Sequence, residues 1–216
     1  GTELLKRLQT GENLPLMTSC CPGWVKFVEH NYPELLDNLS TCKSPHEMEG
    51  AVIKSYFAKK EGIDPSKIVV VSIMPCVAKK FENQREELSN NNLQDVDIVL
   101  TTRELAQPIK EFGIDFENLK DEQFDNPLGE STGAAVIFGA TGGVAEAALR
   151  TIFELTAGKE LEAIDFSVVR GTQSIKEALV ELPDGRVVKT AVAHCLGNAR
   201  ELMKMVKSGE KHFDFI

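Results

Sequence analysis

Five cysteines, Cys20, Cys21, Cys42, Cys76 and Cys195, offer the most distinctive chemistry in this 216-residue sequence. Cys20-Cys21 lies in Thr18-Ser19-Cys20-Cys21-Pro22 and Cys76 in Met74-Pro75-Cys76, each where an expected strand ends and the next helix opens. Ligands gather at the carboxyl ends of strands in open α/β sheets. A helix N-terminus also lowers a thiol pKa, which favours a metal-bound thiolate and an anionic cluster. The spacing is not that of a zinc ribbon, which pairs C-x-x-C knuckles. A soft-metal site completed by other ligands and a set of reactive or packed thiols both fit these residues. Cys42 and Cys195 read as small packing residues. An odd cysteine count without a secretion signal points to reduced thiols in a cytoplasmic compartment.

The elements that must position these thiols alternate between strand-like and helical runs, the pattern of an α/β fold. Leu14 to Thr18 reads as a short strand, and Pro22 opens a helix carrying Trp24, Val25 and Val28. Ser44-Pro45-His46-Glu47 reads as an N-cap, a first-turn proline and a capping box, starting a helix that ends near Gly62. Ile68 to Ile73 is a continuous β-branched run, expected to be a strand covered on both faces, and it leads into Met74-Pro75-Cys76. Asp97 to Thr101 is a further strand, followed by a helix from about Arg103 to Phe112.

Ala134 to Phe138 reads as a strand, then a Gly-rich turn, Gly139 to Gly143, and a helix through about Ala157. Phe166 to Arg170 is another strand, Pro183-Asp184-Gly185 a hairpin turn, and Asn198 to Lys207 a last helix. His212 to Ile216 alternates like an incoming strand. The expected architecture is two lobes, each a mainly parallel twisted sheet flanked by helices, with a hairpin in the second. Residues 1–112 would form the first lobe, 113–130 a connection and 131–216 the second.

With 24 basic and 33 acidic residues the formal net charge is −9, and no Lys/Arg block is long enough to make nucleic acid a fitting partner. The longest apolar stretches, Ile68 to Met74 and Ala134 to Ala140, fall far short of the roughly 20 residues of a membrane-spanning helix. The opening Gly1 to Leu8 is an amphipathic helix pattern with neither the charged start nor the cleavage site of a signal peptide, and it reads as a cut within a helix. Taken residue by residue, Lys79 and Glu82 read as solvated positions on an amphipathic helix, Ser40 as a turn residue, and His46 and His194 as structural histidines. The turn through Gly143 lacks both the P-loop Lys-Ser/Thr and the G-x-G-x-x-G spacing, which makes nucleotide binding a weak reading.

Thr18-Ser19-Cys20-Cys21-Pro22-Gly23-Trp24 and Met74-Pro75-Cys76-Val77-Ala78-Lys79-Lys80-Phe81-Glu82 closely resemble two signature motifs of the [FeFe]-hydrogenase catalytic domain. Leu39 to Pro45, Gly133 to Gly143, and Ala191 to Arg200 are also similar to that family and stand in its order, so the resemblance covers essentially the whole sequence. Cys195 stands where the resemblance leads one to expect glycine.

The resemblance implies an H-cluster, a [4Fe-4S] cubane joined to a di-iron subcluster that carries CO, cyanide and a dithiolate amine. Cys21 and Cys76 would be two of the four cubane ligands. Cys20 would relay protons, with Ser40, Glu3 and Arg7 on the path to the surface. Lys79 would donate to a cyanide, and Met74, Ser44, Pro45 and Phe138 would line the pocket. A third signature, C-x-x-G-C, with the remaining two ligands, would follow Ile216, so residues 1–216 alone are expected to be metal-free and inactive. The implied partners are H2, protons, maturation proteins, and ferredoxin or an NADH-linked subunit. Cys20 and Lys79 serve the di-iron chemistry, and their presence speaks against two related roles, an iron–sulfur assembly factor and a sensory hydrogenase.

Overall fold

The computed structural model describes residues 1–90, 92–129, 133–158, 167–168 and 175–216. In chain order the elements are α1 (Thr2–Thr10), α2 (Pro22–Asn31), α3 (Pro45–Val52), a π-helical turn (Ile53–Phe57), α4 (Ala58–Glu61), β1 (Val71–Met74), α5 (Lys79–Glu82), β2 (Ile98–Thr101) and α6 (Thr102–Glu111). They continue as α7 (Ala134–Ile137), α8 (Gly143–Ala157), β3 (Ser167–Val168), β4 (Ile175–Glu181), β5 (Val187–Ala193) and α9 (Cys195–Lys207). The α/β class expected from the alternation is therefore correct. The elements group into two compact units, one of residues 1–41 with 131–216 and one of residues 42–130.

That grouping departs from the sequential division at residues 112 and 130. The reason lies in backbone pairing between the two ends of the sequence. Leu16 N–H donates to Asp214 O at 2.9 Å, Thr18 N–H to Ile216 O at 2.8 Å, and Ile216 N–H to Leu16 O at 2.9 Å. Residues 14–18, expected to join the first lobe, run parallel to residues 214–216, which in turn lie parallel to β5 through the Thr190–Phe215 bridge. Pairing of this kind is settled by burial of both partners, and local pattern does not reveal it.

In the first unit β3, β4 and β5 form an antiparallel sheet, with β4 and β5 joined at the expected Asp184-Gly185 turn. Because successive side chains point to opposite faces, adjacent residues feed two cores. Leu16, Val188 and Val192 pack with Leu4 of α1 and Leu149 and Ile152 of α8. Met17 and Ala191 pack with Trp24 and Val28 of α2 and Leu202 and Met203 of α9. Ala134–Ile137 is a helix, where the apolar run suggested a strand. A short apolar run has no period long enough to tell the two apart, and Gly143 packs its backbone so closely against the end of this helix that an added Cβ would stand 1.9 Å from Ile137 O.

In the second unit β1 and β2 pair in parallel, Val71 opposite Ile98 and Met74 opposite Thr101. Only the end of the β-branched run enters this ladder, and Val69, Val71 and Ile73 are exposed, so the two-sided cover expected for that strand is not found. The helix expected from Ser44 to Gly62 is present but carries the π turn at its centre. Gly62 closes it at φ 66°, a left-handed conformation that glycine adopts without strain. Among the described residues no helix is long and apolar enough to cross a membrane.

Candidate functional site

Cys21 caps the N-terminus of α2 with extended backbone, φ −104° and ψ 107°, and Pro22 takes the first helical position, where a missing N–H leaves no bond unmade. Its thiol is exposed and in no disulfide. A cavity of about 340 Å³ in the first unit is lined by Cys20, Cys21, Trp24, Phe138 and Cys195, with the small residues of the 140–145 turn completing the wall. Three cysteines around an apolar hollow suit a soft, thiolate-bound group. The structure thus gathers Cys20, Cys21 and Phe138, three of the residues singled out from sequence, around one cavity.

Cys195 was expected to be a packing residue, yet it is exposed and opens α9 at φ 68°. A side chain disfavours that conformation by crowding Cβ against the carbonyl. The position where the resemblance calls for glycine therefore has a glycine-like backbone. Cys42, also expected to pack, is exposed as well.

The predicted proton-path residues Glu3, Arg7 and Ser40 meet in the same unit. Ser40 Oγ donates to Glu3 Oε2 at 2.5 Å, and Arg7 Nη2 donates to Glu3 Oε1 at 2.8 Å. Thr41, which the sequence did not single out, adds its backbone N–H at 3.1 Å and its hydroxyl at 3.2 Å to Glu3 Oε1. The Arg7 guanidinium is itself fixed by the carbonyls of Asn13 at 3.0 Å, Asp37 at 2.9 Å and Leu39 at 3.0 Å. Burial works to raise the Glu3 pKa, but the donors from Ser40, Thr41 and Arg7 outweigh it and hold the carboxyl below its ordinary 4.5.

The second unit places Cys76 two residues past the end of β1, with its carbonyl accepting from Lys79 N–H at 3.3 Å as the chain turns into α5. The Cys76 thiol is half-buried and in no disulfide. Met74 ends β1, and Ser44 and Pro45 open α3, where Ser44 Oγ accepts from Glu47 N–H at 3.3 Å. The capping box expected there is half made, because the Glu47 carboxylate faces His46 instead.

Lys79 and Glu82 depart most from the residue-by-residue reading. Both are buried, at 6% and 4% exposure, and Lys79 Nζ donates to Glu82 Oε2 at 2.7 Å. His46 joins them: its Nδ1 is 3.3 Å from the same Glu82 oxygen and 3.1 Å from Glu47 Oε1, and its Nε2 is 2.7 Å from Ser72 Oγ. Burial pushes the His46 pKa down, the carboxylates of Glu47 and Glu82 push it up more strongly, and the result is above 6.5. Burial likewise pushes Glu82 up, while His46, Lys79 and Ser44 hold it below 4.5. His46 and Glu47 were missed as functional candidates. The i, i+1 placement of an imidazole beside a carboxylate on the first turn of a helix was the available signal.

His194 Nδ1 is 2.9 Å from Thr141 Oγ1, in keeping with a structural histidine. The part of the Phe166 to Arg170 strand beyond residues 167–168 lies outside the described residues.

A family model described as the iron only hydrogenase large subunit, C-terminal domain, matches residues 1–216. The NADP-reducing hydrogenase subunit HndD of Solidesulfovibrio fructosivorans is 56% identical over 97% of this chain, which spans 37% of that protein. The periplasmic [Fe] hydrogenase large subunit of Nitratidesulfovibrio vulgaris is 49% identical over 100% of the chain and 52% of its own length. Among solved structures, a variant of apo [FeFe]-hydrogenase HydA1 from Chlamydomonas reinhardtii superposes with a TM-score of 0.86 at 40% identity, covering 99% of this chain and 61% of that one. The chain thus spans from about a third to three fifths of the relatives it matches. It belongs to the iron-only hydrogenase large-subunit family, and its 216 residues fall within the C-terminal domain.

Proposed function

We infer that the protein of which these residues form part interconverts H2 with two protons and two electrons. The observation that carries this reading is the connected Ser40–Glu3–Arg7 constellation, in which a hydroxyl, a carboxylate and a fixed guanidinium share hydrogen bonds of 2.5 and 2.8 Å. A thiol, a hydroxyl and a carboxylate form a relay that moves a proton in short steps.

The residues suit an H-cluster by their chemistry. Cys21 at the start of α2 and Cys76 in the turn between β1 and α5 offer thiols in no disulfide, and Cys20 and Phe138 border an apolar cavity. When bound, the cluster supplies a Lewis-acidic iron at which H2 is split and a store for its electrons. Cys21 and Cys76 would hold the cubane as thiolates. Cys20 takes up the released proton and returns it in the reverse direction, Ser40 passes it on, and Glu3 receives it, with Arg7 keeping the carboxylate in place. Lys79 would donate a charge-assisted hydrogen bond to a cyanide. By the resemblance, Met74, Ser44, Pro45 and Phe138 would line the pocket of the di-iron unit.

Two thiolates of the expected four are assigned within residues 1–216, and this part alone is read as metal-free and inactive. Electrons would pass to ferredoxin or to an NAD(P)-linked subunit, the latter in line with the name of the 56% identical relative. Maturation proteins would load the di-iron unit, and a cytoplasmic, reducing setting suits the thiolates.

The test is H2 evolution by the full-length matured protein. Cys20→Ala is expected to lower turnover by about 100-fold or more with iron and acid-labile sulfide unchanged. Cys76→Ala is expected to lose the cubane iron. Full H2 evolution by Cys20→Ala would overturn the relay, and undiminished iron in Cys76→Ala would overturn the ligand assignment.

A further inference from the structure

Four ionisable side chains meet in the second unit almost out of reach of water. His46, Glu47, Lys79 and Glu82 have side chains 5%, 1%, 7% and 5% exposed. Lys79 and His46 approach the same Glu82 oxygen, at 2.7 and 3.3 Å, and His46 Nδ1 also lies 3.1 Å from Glu47 Oε1. Neither His46 Nδ1 nor Glu47 Oε1 has an aligned hydrogen-bond partner, so attraction between charges is what the arrangement offers them. Two carboxylates and one ammonium leave the group with one uncompensated negative charge. An imidazolium makes it neutral, and a buried charge without a counter-charge is strongly unfavourable.

We propose that His46, as an imidazolium, is a positioning residue for Lys79: it shares Glu82 with the lysine, so that the ammonium can leave that carboxylate for an anionic ligand of a bound cluster. With His46 charged, departure of Lys79 leaves a single net negative charge among the buried groups. With His46 neutral it leaves two, and Lys79 stays where it is. The titratable groups facing His46 are Glu47 on its own helix and Lys79 and Glu82 on α5; from β1 it meets the Ser72 hydroxyl.

The ligand atoms of His46, Glu47 and Glu82 lie within 4.8 Å of one another, close enough to suit a small metal ion. The Lys79 ammonium on Glu82 Oε2 favours the proton, since a divalent ion there would face a second cation at hydrogen-bonding distance. The identity of the anionic ligand rests on the hydrogenase reading, whereas the charge sharing among the four side chains does not.

The experiment uses the full-length protein in two forms. Before maturation, histidine-selective NMR should find His46 titrating above 6.5, and Glu82→Gln should lower that value by about one unit or more. After maturation, the cyanide infrared bands should shift in His46→Gln and, in the same direction, in Lys79→Ala. His46→Lys, which keeps a cation, should restore them. In the wild-type protein the same shift should appear reversibly as pH rises through the His46 pKa, and it should be absent from the pH series of His46→Gln.

A His46 pKa indifferent to Glu82→Gln overturns the proposal, as do infrared bands unchanged in His46→Gln. So does stoichiometric Zn²⁺ binding that removes the His46 signals and is lost in His46→Gln, which would make the cluster a metal site. Absence of cyanide bands and of H2 evolution from the matured wild type would overturn the hydrogenase reading. The NMR arm would still decide the His46–Glu82 coupling.

Discussion

Ser40 Oγ donates a 2.5 Å hydrogen bond to Glu3 Oε2, and the other oxygen of that carboxylate is held by Arg7 at 2.8 Å. One carboxylate therefore has both a proton-bearing neighbour and a fixed counter-charge. In the full-length matured protein, Glu3→Gln is expected to lower H2 evolution by about 100-fold or more, the usual contribution of a positioned proton-transfer group. The cluster content should not change. Hydrogen evolution assayed beside iron and sulfide content checks both halves.

The pKa shifts at Glu3 and His46 predict opposite pH slopes in stability. Glu3 is held below 4.5 in the folded state, so its contribution is complete above pH 4.5 and is lost as pH falls through the folded pKa. His46 is held above 6.5, so its contribution is complete below pH 6.5 and is lost as pH rises through the folded pKa. Urea unfolding of wild type, Glu3→Gln and His46→Gln from about pH 2.5 to about pH 9, a range that runs below the ordinary carboxylate pKa and above the ordinary imidazole pKa, should show the wild-type advantage over Glu3→Gln shrinking at the acid end. The advantage over His46→Gln should shrink at the alkaline end.

Cys195 at φ 68° is a side chain in glycine's conformation. Cys195→Gly is expected to stabilise the protein by about 0.5–1 kcal/mol, the relief of left-handed strain less the greater freedom of glycine in the unfolded chain. Cys195→Ala keeps the Cβ and should give no such gain. Thermal melts of the two variants separate backbone strain from any role of the thiol.

Two glycines outside the left-handed region should respond in opposite ways to alanine. A Cβ at Gly143 would stand 1.9 Å from Ile137 O and 2.6 Å from Ile137 C, so Gly143→Ala should destabilise by at least about 2 kcal/mol through forced backbone movement. A Cβ at Gly197, inside α9, would meet nothing within 4 Å, and Gly197→Ala should gain about 0.5–1 kcal/mol from helix propensity. Denaturant midpoints of the pair give the contrast directly.

Much of this was legible from residue order, and the reasons differ by element. The cap at Ser44 and the turn at Asp184-Gly185 are local chemistry, and the helix and hairpin they mark lie where expected. The pairing of Leu16 with Phe215 is not local, and no pattern within either segment identifies its partner. Lys79 and Glu82 fail for a related reason. An i, i+3 charge pair on a short helix looks the same in a sequence whether it faces water or His46, and only the family resemblance set Lys79 apart. The helix at Ala134–Ile137 was mistaken for a strand because its apolar run is too brief to have a period.

The parallel contact of Leu16 with Phe215 also bears on how the protein comes into being. Residues 42–130 are contiguous, so the second unit has its whole sequence once residue 130 has been made. The first unit must keep its opening 41 residues waiting until residues 214–216 have been synthesised and can lie beside β5. Until then the cysteine-lined cavity has no Ile216 in its wall. The surroundings of the Cys21 thiol in this cavity are therefore complete only once the polypeptide has been synthesised through Ile216.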